Sequence, residues 1–379
     1  MFQDLTVVEL ASVLAGPSVG QFFAELGANV IKVENINTGG DVTRSWKLPS
    51  EEIDTDLSAY FCSVNWGKKS WALDLNSAES VHALHQLIKR ADIVIASYKP
   101  GDAEKLGVSY DQLRAVNAKL IFGQITGYGS DNARVGYDAV IQAEAGFMDL
   151  NGEAHGSAVK MPVALMDVLA AHHLKEGLLL ALLKRERTGS GGLVEVSLIQ
   201  AAVASLANQA SNWLVAGVVP KRKGSLHPNI APYGEVFELS DGKQMIVAIG
   251  TDKQFADFCH LLNADALALH ASFRSNMLRV MHRAELYELL KPKVNAFSSL
   301  QLMPLFHQRK IPAGLIQNLA EVFSMPEAQH LVLQHSGLHG VRTFVVHGVH
   351  SSFALTPPPH LGEHNNEIQS TLFKMEEPK

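Results

Sequence analysis

The sequence predicts an α/β protein: a doubly wound parallel sheet in a large domain, followed by a smaller α/β domain. Three observations carry this. Short β-type runs recur between helix-length amphipathic runs through the first half of the chain. The run Asp92–Ala96 (DIVIA) has the apolar character of a strand buried on both faces. Apolar residues make up 47% of 379 residues, ample for a large core.

Leu5–Leu10 reads as the first strand and Gly16–Leu26 as a helix entered through Gly16-Pro17, since proline suits a first helical turn. Asn29–Val33 and Ser70–Leu75 are the next strands, separated by a polar, glycine-containing loop. Ala78–Arg90 carries leucines and histidines at helical spacing, and Asp92–Ala96 follows as a strand. Tyr110–Val116 is a short helix and Leu120–Thr126 a strand. A long helix is expected over Asp167–Arg187, stopped by Thr188-Gly-Ser-Gly-Gly192 after basic residues that suit a helix C-terminus. Val194–Ser197 is a further strand, and Leu198–Val218 reads as another long helix. A Pro/Gly/basic linker spans 221–235, a small α/β domain 236–319 opens with two strands around Asp241-Gly242, and the tail from 320 differs in character.

The length suggests two or three domains. Charged residues are 18%, against roughly 25% in an average soluble protein, a deficit that points to extra buried surface such as a subunit interface. A net charge of −6 lacks the footprint of a nucleic-acid binder. Two cysteines, Cys62 and Cys259, make neither a disulfide framework nor a four-cysteine zinc site and suit a reducing compartment. The N-terminus has no basic n-region, and no apolar run reaches the 18 or so residues of a membrane span. The expectation is a soluble cytoplasmic protein with no membrane and no nucleic-acid partner.

HExxH, GxxxxGK[ST] and a GxGxxG after the first strand are all missing, so the sheet needs another ligand than those motifs serve. Histidine is frequent, at 17 residues, and His347-x-x-His350 has metal-pair spacing, but without acidic or cysteine partners it is set aside and no metal is expected. Asp167 stands out in an apolar setting, Pro162-Val-Ala-Leu-Met-Asp-Val-Leu-Ala, at a helix start. One reading is an N-cap, worth about 1 kcal/mol. The other is a carboxylate that stays ionised at the helix N-terminus and acts as a nucleophile in a dry cleft. The two are compatible.

A set of fragments in shared order then resembles the class III CoA-transferase (CaiB/BaiF-type) family. They begin with Leu10-Ala-Ser-Val-Leu-Ala-Gly-Pro-Ser and Leu26-Gly-Ala-Asn-Val-Ile-Lys-Val-Glu. They continue through Asn65-Trp-Gly-Lys-Lys-Ser, Leu73-Asp-Leu75, Ile125-Thr-Gly-Tyr-Gly129, Gly136-Tyr-Asp138 and Thr188-Gly-Ser-Gly191. Pro232-Tyr-Gly234, Ile311-Pro-Ala-Gly314 and Leu361-Gly-Glu-His364 extend the likeness over essentially the whole chain.

The resemblance implies a Rossmann-like large domain over 1–220, completed by the tail 320–379, and an interlinked, ring-like homodimer. It implies that Asp167 is the nucleophile that carries CoA from an acyl-CoA to a free carboxylic acid through a covalent aspartyl intermediate. Coenzyme A enters as substrate, with no permanently bound cofactor. The implied CoA site comprises Leu14 and Ala15 through their backbone, Leu73, Asp74, Leu75 and Asn76, then Ser97, Tyr98 and Lys99 at strand C-terminal ends, Lys105 toward a phosphate, and Tyr137 and Asp138 beside the pantetheine and thioester.

Two departures stand out. Many relatives carry an arginine where this chain has Asn35-Ile36-Asn37, and Arg44 or Lys68 are the candidates to compensate. A glycine-rich lid stretch of some members is here Ala248-Ile249-Gly250-Thr251. Alternatives are an α-methylacyl-CoA racemase of the same family, disfavoured because Tyr137 replaces a histidine base, and a non-catalytic CoA-binding protein.

Overall fold

The computed structural model describes residues 2–348 and 354–373. Six strands form one parallel sheet in the order β3-β2-β1-β4-β5-β6: β1 (Thr6–Leu10), β2 (Asn29–Asn35), β3 (Lys68–Leu73), β4 (Ile93–Ala96), β5 (Ile121–Thr126) and β6 (Gly192–Ser197). The sequence places each of these strands to within about two residues, the usual scatter of element ends. Alternation along the strands builds two cores. Val7, Ile93, Ile95 and Ile121 bury against α1 (Ala15–Glu25) and the long helix, whereas Val8, Leu10, Val94 and Phe122 bury against α2 (Ala78–Ile88) and α3 (Tyr110–Val116). Strand order reverses between β1 and β4, so a crevice opens beyond their C-terminal ends, at Ala11–Leu14 and Ser97–Pro100.

Charges are sealed inside this sheet. Glu9 on β1 lies opposite Lys32 on β2 and binds its Nζ at 2.9 Å, while Lys68 on β3 reaches the other Glu9 oxygen at 2.7 Å. Lys32 also donates to the Ala11 carbonyl at 2.8 Å and pairs with Asp41 at 2.9 Å, fixing the turn that follows β1. Burial works against the charge on Lys32, but Glu9, Asp41 and Glu34 outweigh it and hold its ammonium well above the usual range. Lys68 has less compensation, and burial pushes it down to about 8.

After β5 come α4 (Asp138–Glu144) and α5 (Leu165–Thr188), the long helix. It ends at Gly189 with φ +72°, and Gly191 follows because a Cβ there would lie 2.0 Å from the Leu120 carbonyl oxygen. The single helix expected over 198–218 is two short ones, α6 (Leu198–Ala204) and α7 (Ala207–Leu214). Ala207 sits at φ +49°, a left-handed kink that a continuous apolar pattern does not reveal.

The edge strand β3 is covered by the tail. Gly67 donates to the Thr356 carbonyl at 2.9 Å, His364 to the Ser70 carbonyl at 3.1 Å, and Ala72 to Asn365 Oδ1 at 2.9 Å. Chain segments 1–147, 160–217 and 329–379 make up this large unit.

The second unit comprises 148–159 and 218–328, so it takes in more than the 236–319 expected. Its three-stranded antiparallel sheet joins β7 (Tyr233–Glu238), β8 (Gln244–Ala248) and β9 (Ala313–Leu315), with the β7–β8 turn at Asp241-Gly242. Phe237, Met245, Phe255, Phe258 and Phe306 fill its core. The Ala248–Thr251 stretch ends in a capping box, Thr251 and Gln254, that starts the helix Asp252–Leu261.

Candidate active site

The loop after β1 is the floor of the site. Val13 is held at φ +74°, an unusual conformation for a β-branched residue. Its N–H is directed at both Asp41 oxygens, each 3.3 Å away, and Asp41 also accepts from the Thr43 N–H at 3.0 Å and hydroxyl at 2.8 Å. Burial opposes the Asp41 charge, but Lys32 and Thr43 hold the carboxyl below its ordinary range. Helix α1 begins directly after this loop with no side-chain cap, so its first N–H groups lack intrahelical acceptors. Gly16 is required there, because a Cβ would meet the Ala11 Cβ at 2.3 Å.

Above this floor is a cavity of about 300 Å³ lined by Leu14, Ala15, Ser97, Tyr98, Lys99, Tyr137 and Asp167 among others. A second hollow of about 240 Å³ shares Ser97 and Tyr98 and adds Leu75 and Asn76. Burial pushes the Tyr98 phenol up to about 12, so it stands neutral at their junction. Nine of the thirteen residues expected from the sequence therefore converge here.

Four do not line either hollow. Leu73 is buried within β3. Asp74 turns its carboxylate onto the Asn76 N–H at 2.9 Å. Lys105 is exposed and pairs with Asp102 at 3.2 Å. Asp138 points its carboxylate to the start of α5, where Oδ1 accepts the Met166 N–H at 2.9 Å.

The compensating cations also fall away. Arg44 is buried against Glu34 through two bonds of 2.8 and 2.7 Å, reaches the Pro359 carbonyl and lies over the Phe61 ring. Lys68 is consumed by Glu9, Pro17 and Asn65. Neither is free to receive a phosphate. Asn35 instead caps a short turn at Ile36–Thr38 and lines the second hollow with Thr38.

Asp167 sits in the first turn of α5, but it is not the N-cap: that position is Ala164, which makes no side-chain cap bond. Its carboxyl is pushed up to about 7, by burial first and by the charge of Asp138 second. Burial and the Asp138 charge both work against the ionised form that the residue pattern leads one to expect at neutral pH. Tyr60 is a neighbour that the residue pattern did not single out; burial, then Asp167, Asp138 and Asp41, raise its phenol.

A family profile described as CoA-transferase family III matches residues 2–365. The chain is 35% identical to a succinate–glutarate CoA-transferase of Agrobacterium fabrum, over 98% of this chain and 96% of that one. It is 32% identical to the succinyl-CoA:glutarate CoA-transferase of Mus musculus, over 99% and 87% of the two chains. Among solved structures, a CaiB/BaiF family protein from Brucella suis superposes with a TM-score of 0.86 at 37% identity, covering 97% and 98%. The chain belongs to CoA-transferase family III.

This class III CoA-transferase works on CoA thioesters. Ser12, Val13 and Thr126 also line the cavity, within fragments that the sequence marks only as family-like, whereas Asn132 and Arg134 lay beyond sequence reasoning. Arg134 is pinned by Glu144 and lies 4.2 Å over the Tyr128 ring, an arrangement that no spacing encodes. Gly127 and Gly136 did carry a signal, being family-like glycines. A Cβ on Gly127 would come within 2.8 Å of the Gly136 Cα, so two chain segments meet there to close one wall. Among the described residues no group of three or more metal-ligating side chains occurs, and no helix is long and apolar enough to cross a membrane. His350 of the His347-x-x-His350 pair lies outside the described residues.

Proposed function

We propose that this enzyme moves CoA from a dicarboxylic acyl-CoA to a free dicarboxylic acid, through covalent intermediates on Asp167. The observation that carries the reading is the Asp167 carboxyl itself. It lines the cavity beside the unsatisfied N-terminus of α1, and no hydrogen bond contributes to its proton affinity. Such a carboxylate is desolvated and uncommitted, as a nucleophile must be. The dicarboxylate class rests on the names of the Agrobacterium and mouse relatives, both of which join succinate or succinyl-CoA to glutarate.

The ionised Asp167 attacks the thioester carbonyl and the C–S bond breaks, giving a mixed anhydride and CoA thiolate. The thiolate attacks the aspartyl carbonyl and expels the donor as a free carboxylate, leaving an aspartyl-CoA thioester. The acceptor carboxylate attacks that thioester to form a second anhydride and release thiolate. Thiolate then attacks the acceptor's acyl carbon, and Asp167 leaves as carboxylate. Each step exchanges one activated carboxyl for another, so no ATP is consumed. Ala15 and Gly16 line the cavity at the uncapped start of α1, which makes their N–H groups the candidates to stabilise the oxyanions. Lys99, exposed at the cavity wall, and the second hollow at Leu75 and Asn76 suit the anionic, nucleotide end of CoA. Leu73, Asp74 and Lys105 flank that end.

The reading includes an interlinked homodimer. Leu179, Leu180 and Leu183 on α5 and Trp213, Leu214 and Val215 at the end of α7 are exposed, with Val215 at 85%. A surface that apolar calls for a cover. Free, buried Cys62 and Cys259 suit a cytoplasmic setting.

The test is a mass-spectrometric screen in heavy water. Wild type and Asp167→Ala each meet a mixture of acyl-CoAs and free acids, including succinyl-CoA, glutarate and a 2-methylacyl-CoA. New thioesters of dicarboxylic acids formed by wild type and not by Asp167→Ala are the expected result. Undiminished turnover by Asp167→Ala, or deuterium uptake without new thioesters, overturns the reading.

A further inference from the structure

We propose that Asp138 and Gln142 form a clamp that fixes the first turn of α5, so that they set where the Asp167 carboxylate stands in the cavity and keep a second negative charge beside it. Asp138 is then a positioning residue for CoA transfer and not a contact to CoA. The inference rests on the proposed role of Asp167.

Helix α5 needs outside help at its start. Its N-cap, Ala164, has no polar side chain, and the first N–H groups of any helix lack internal acceptors. Asp138 Oδ1 accepts the N–H of Met166, the residue before Asp167, at 2.9 Å. Its other oxygen accepts from Gln142 Nε2 at 2.8 Å, one turn further along α4. Gln142 is completely buried, and its Oε1 accepts the Met161 N–H at 2.7 Å. Its Nε2 also lies 3.3 Å from the Met161 carbonyl and 3.4 Å from that of Val163. Two side chains of α4 therefore hold residues 161, 163 and 166, the whole approach to Asp167.

The clamp is continuous with the cavity wall. Tyr137 lines the cavity and Asp138 does not, so adjacent residues divide the work: one faces the substrate and the next holds the nucleophile's helix. The charged and titratable groups around Asp167 are Asp138 from α4, Tyr60 from the segment before β3, and Lys99, Arg134 and Tyr137 on the cavity wall, with Arg134 already bound to Glu144. On α5 itself the next are His172, His173 and Lys175, more than a turn away. Of these, Asp138 is the charge that adds to burial in raising Asp167 toward 7.

The experiment compares wild type, Asp138→Asn and Asp138→Ala by kcat, KM and pH profile, with melting temperatures taken alongside and Asp167→Ala in parallel. Asn keeps an acceptor for the Met166 N–H, removes the charge and turns a donor toward Gln142 Nε2, so its acid limb is expected to move down by on the order of one pH unit with a smaller loss of kcat than Ala gives. Ala removes the acceptor as well, and kcat is expected to fall at least ~10-fold with KM for acyl-CoA changed by less than ~2-fold. Wild-type kcat and acid limb in both Asp138 variants overturn the proposal. A raised KM with unchanged kcat also overturns it, by making Asp138 a CoA contact. Turnover by Asp167→Ala defeats the aspartyl mechanism instead, a result the Asp138 variants cannot mimic.

Discussion

Asp41 accepts the backbone N–H of Val13 while its charge is held by Lys32 at 2.9 Å, so a buried ion pair inside the sheet supports a strained loop on the cavity floor. Asp41→Ala is expected to lose about 3–5 kcal/mol of stability, because Lys32 is left buried with one partner fewer. Urea unfolding measures this. Val13→Gly, which accepts a positive φ freely, is expected to stay within about 1 kcal/mol of wild type.

Asp167 sets a second expectation. A carboxyl at about 7 in the folded state and near 3.9 unfolded binds more protons when folded between those values, so stability falls as pH rises through that window. Asp167→Asn removes the penalty. It is expected to melt higher than wild type at pH 8, by on the order of a few kcal/mol in stability, and to show little gain near pH 4. Equal gains at both pH values would contradict the raised carboxyl.

Arg44 is predicted to matter for folding. Arg44→Ala strands Glu34 in the interior and is expected to cost about 3–5 kcal/mol, read by urea unfolding. Lys99→Ala is expected to leave the melting temperature unchanged and raise KM for acyl-CoA about tenfold, roughly the value of one charged contact. Lys105→Ala is expected to change KM by less than about fivefold, since an exposed pair is worth little.

Much of this was legible in the residues. Runs such as Asn29–Val33 and Ile93–Ala96 declare themselves because a sheet covered on both faces demands β-type apolar residues bounded by turns. Asp167 was visible as an acid out of place in an apolar helix start. What the sequence concealed depends on partners far along the chain. The cap on α5 comes from Asp138, 28 residues upstream of Met166. Arg44 looks like a free cation until Glu34 and Pro359 are folded around it. The break between α6 and α7 turns on the φ of Ala207, which periodicity does not register.

The tail's cover over β3 yields a further prediction. Removing residues from 354 onward bares the Gly67, Ser70 and Ala72 backbone on an edge strand. The truncated protein is expected to aggregate at concentrations where the full chain stays clear by light scattering.

The central claim is the covalent intermediate on Asp167, and trapping tests it most directly. Wild-type protein is incubated with succinyl-CoA alone, quenched with hydroxylamine, digested and mapped by mass spectrometry. The account predicts a hydroxamate on the peptide carrying Asp167, at that residue, with none in Asp167→Asn. Full transferase activity with no modification of Asp167, or with the hydroxamate at another acid, would contradict it.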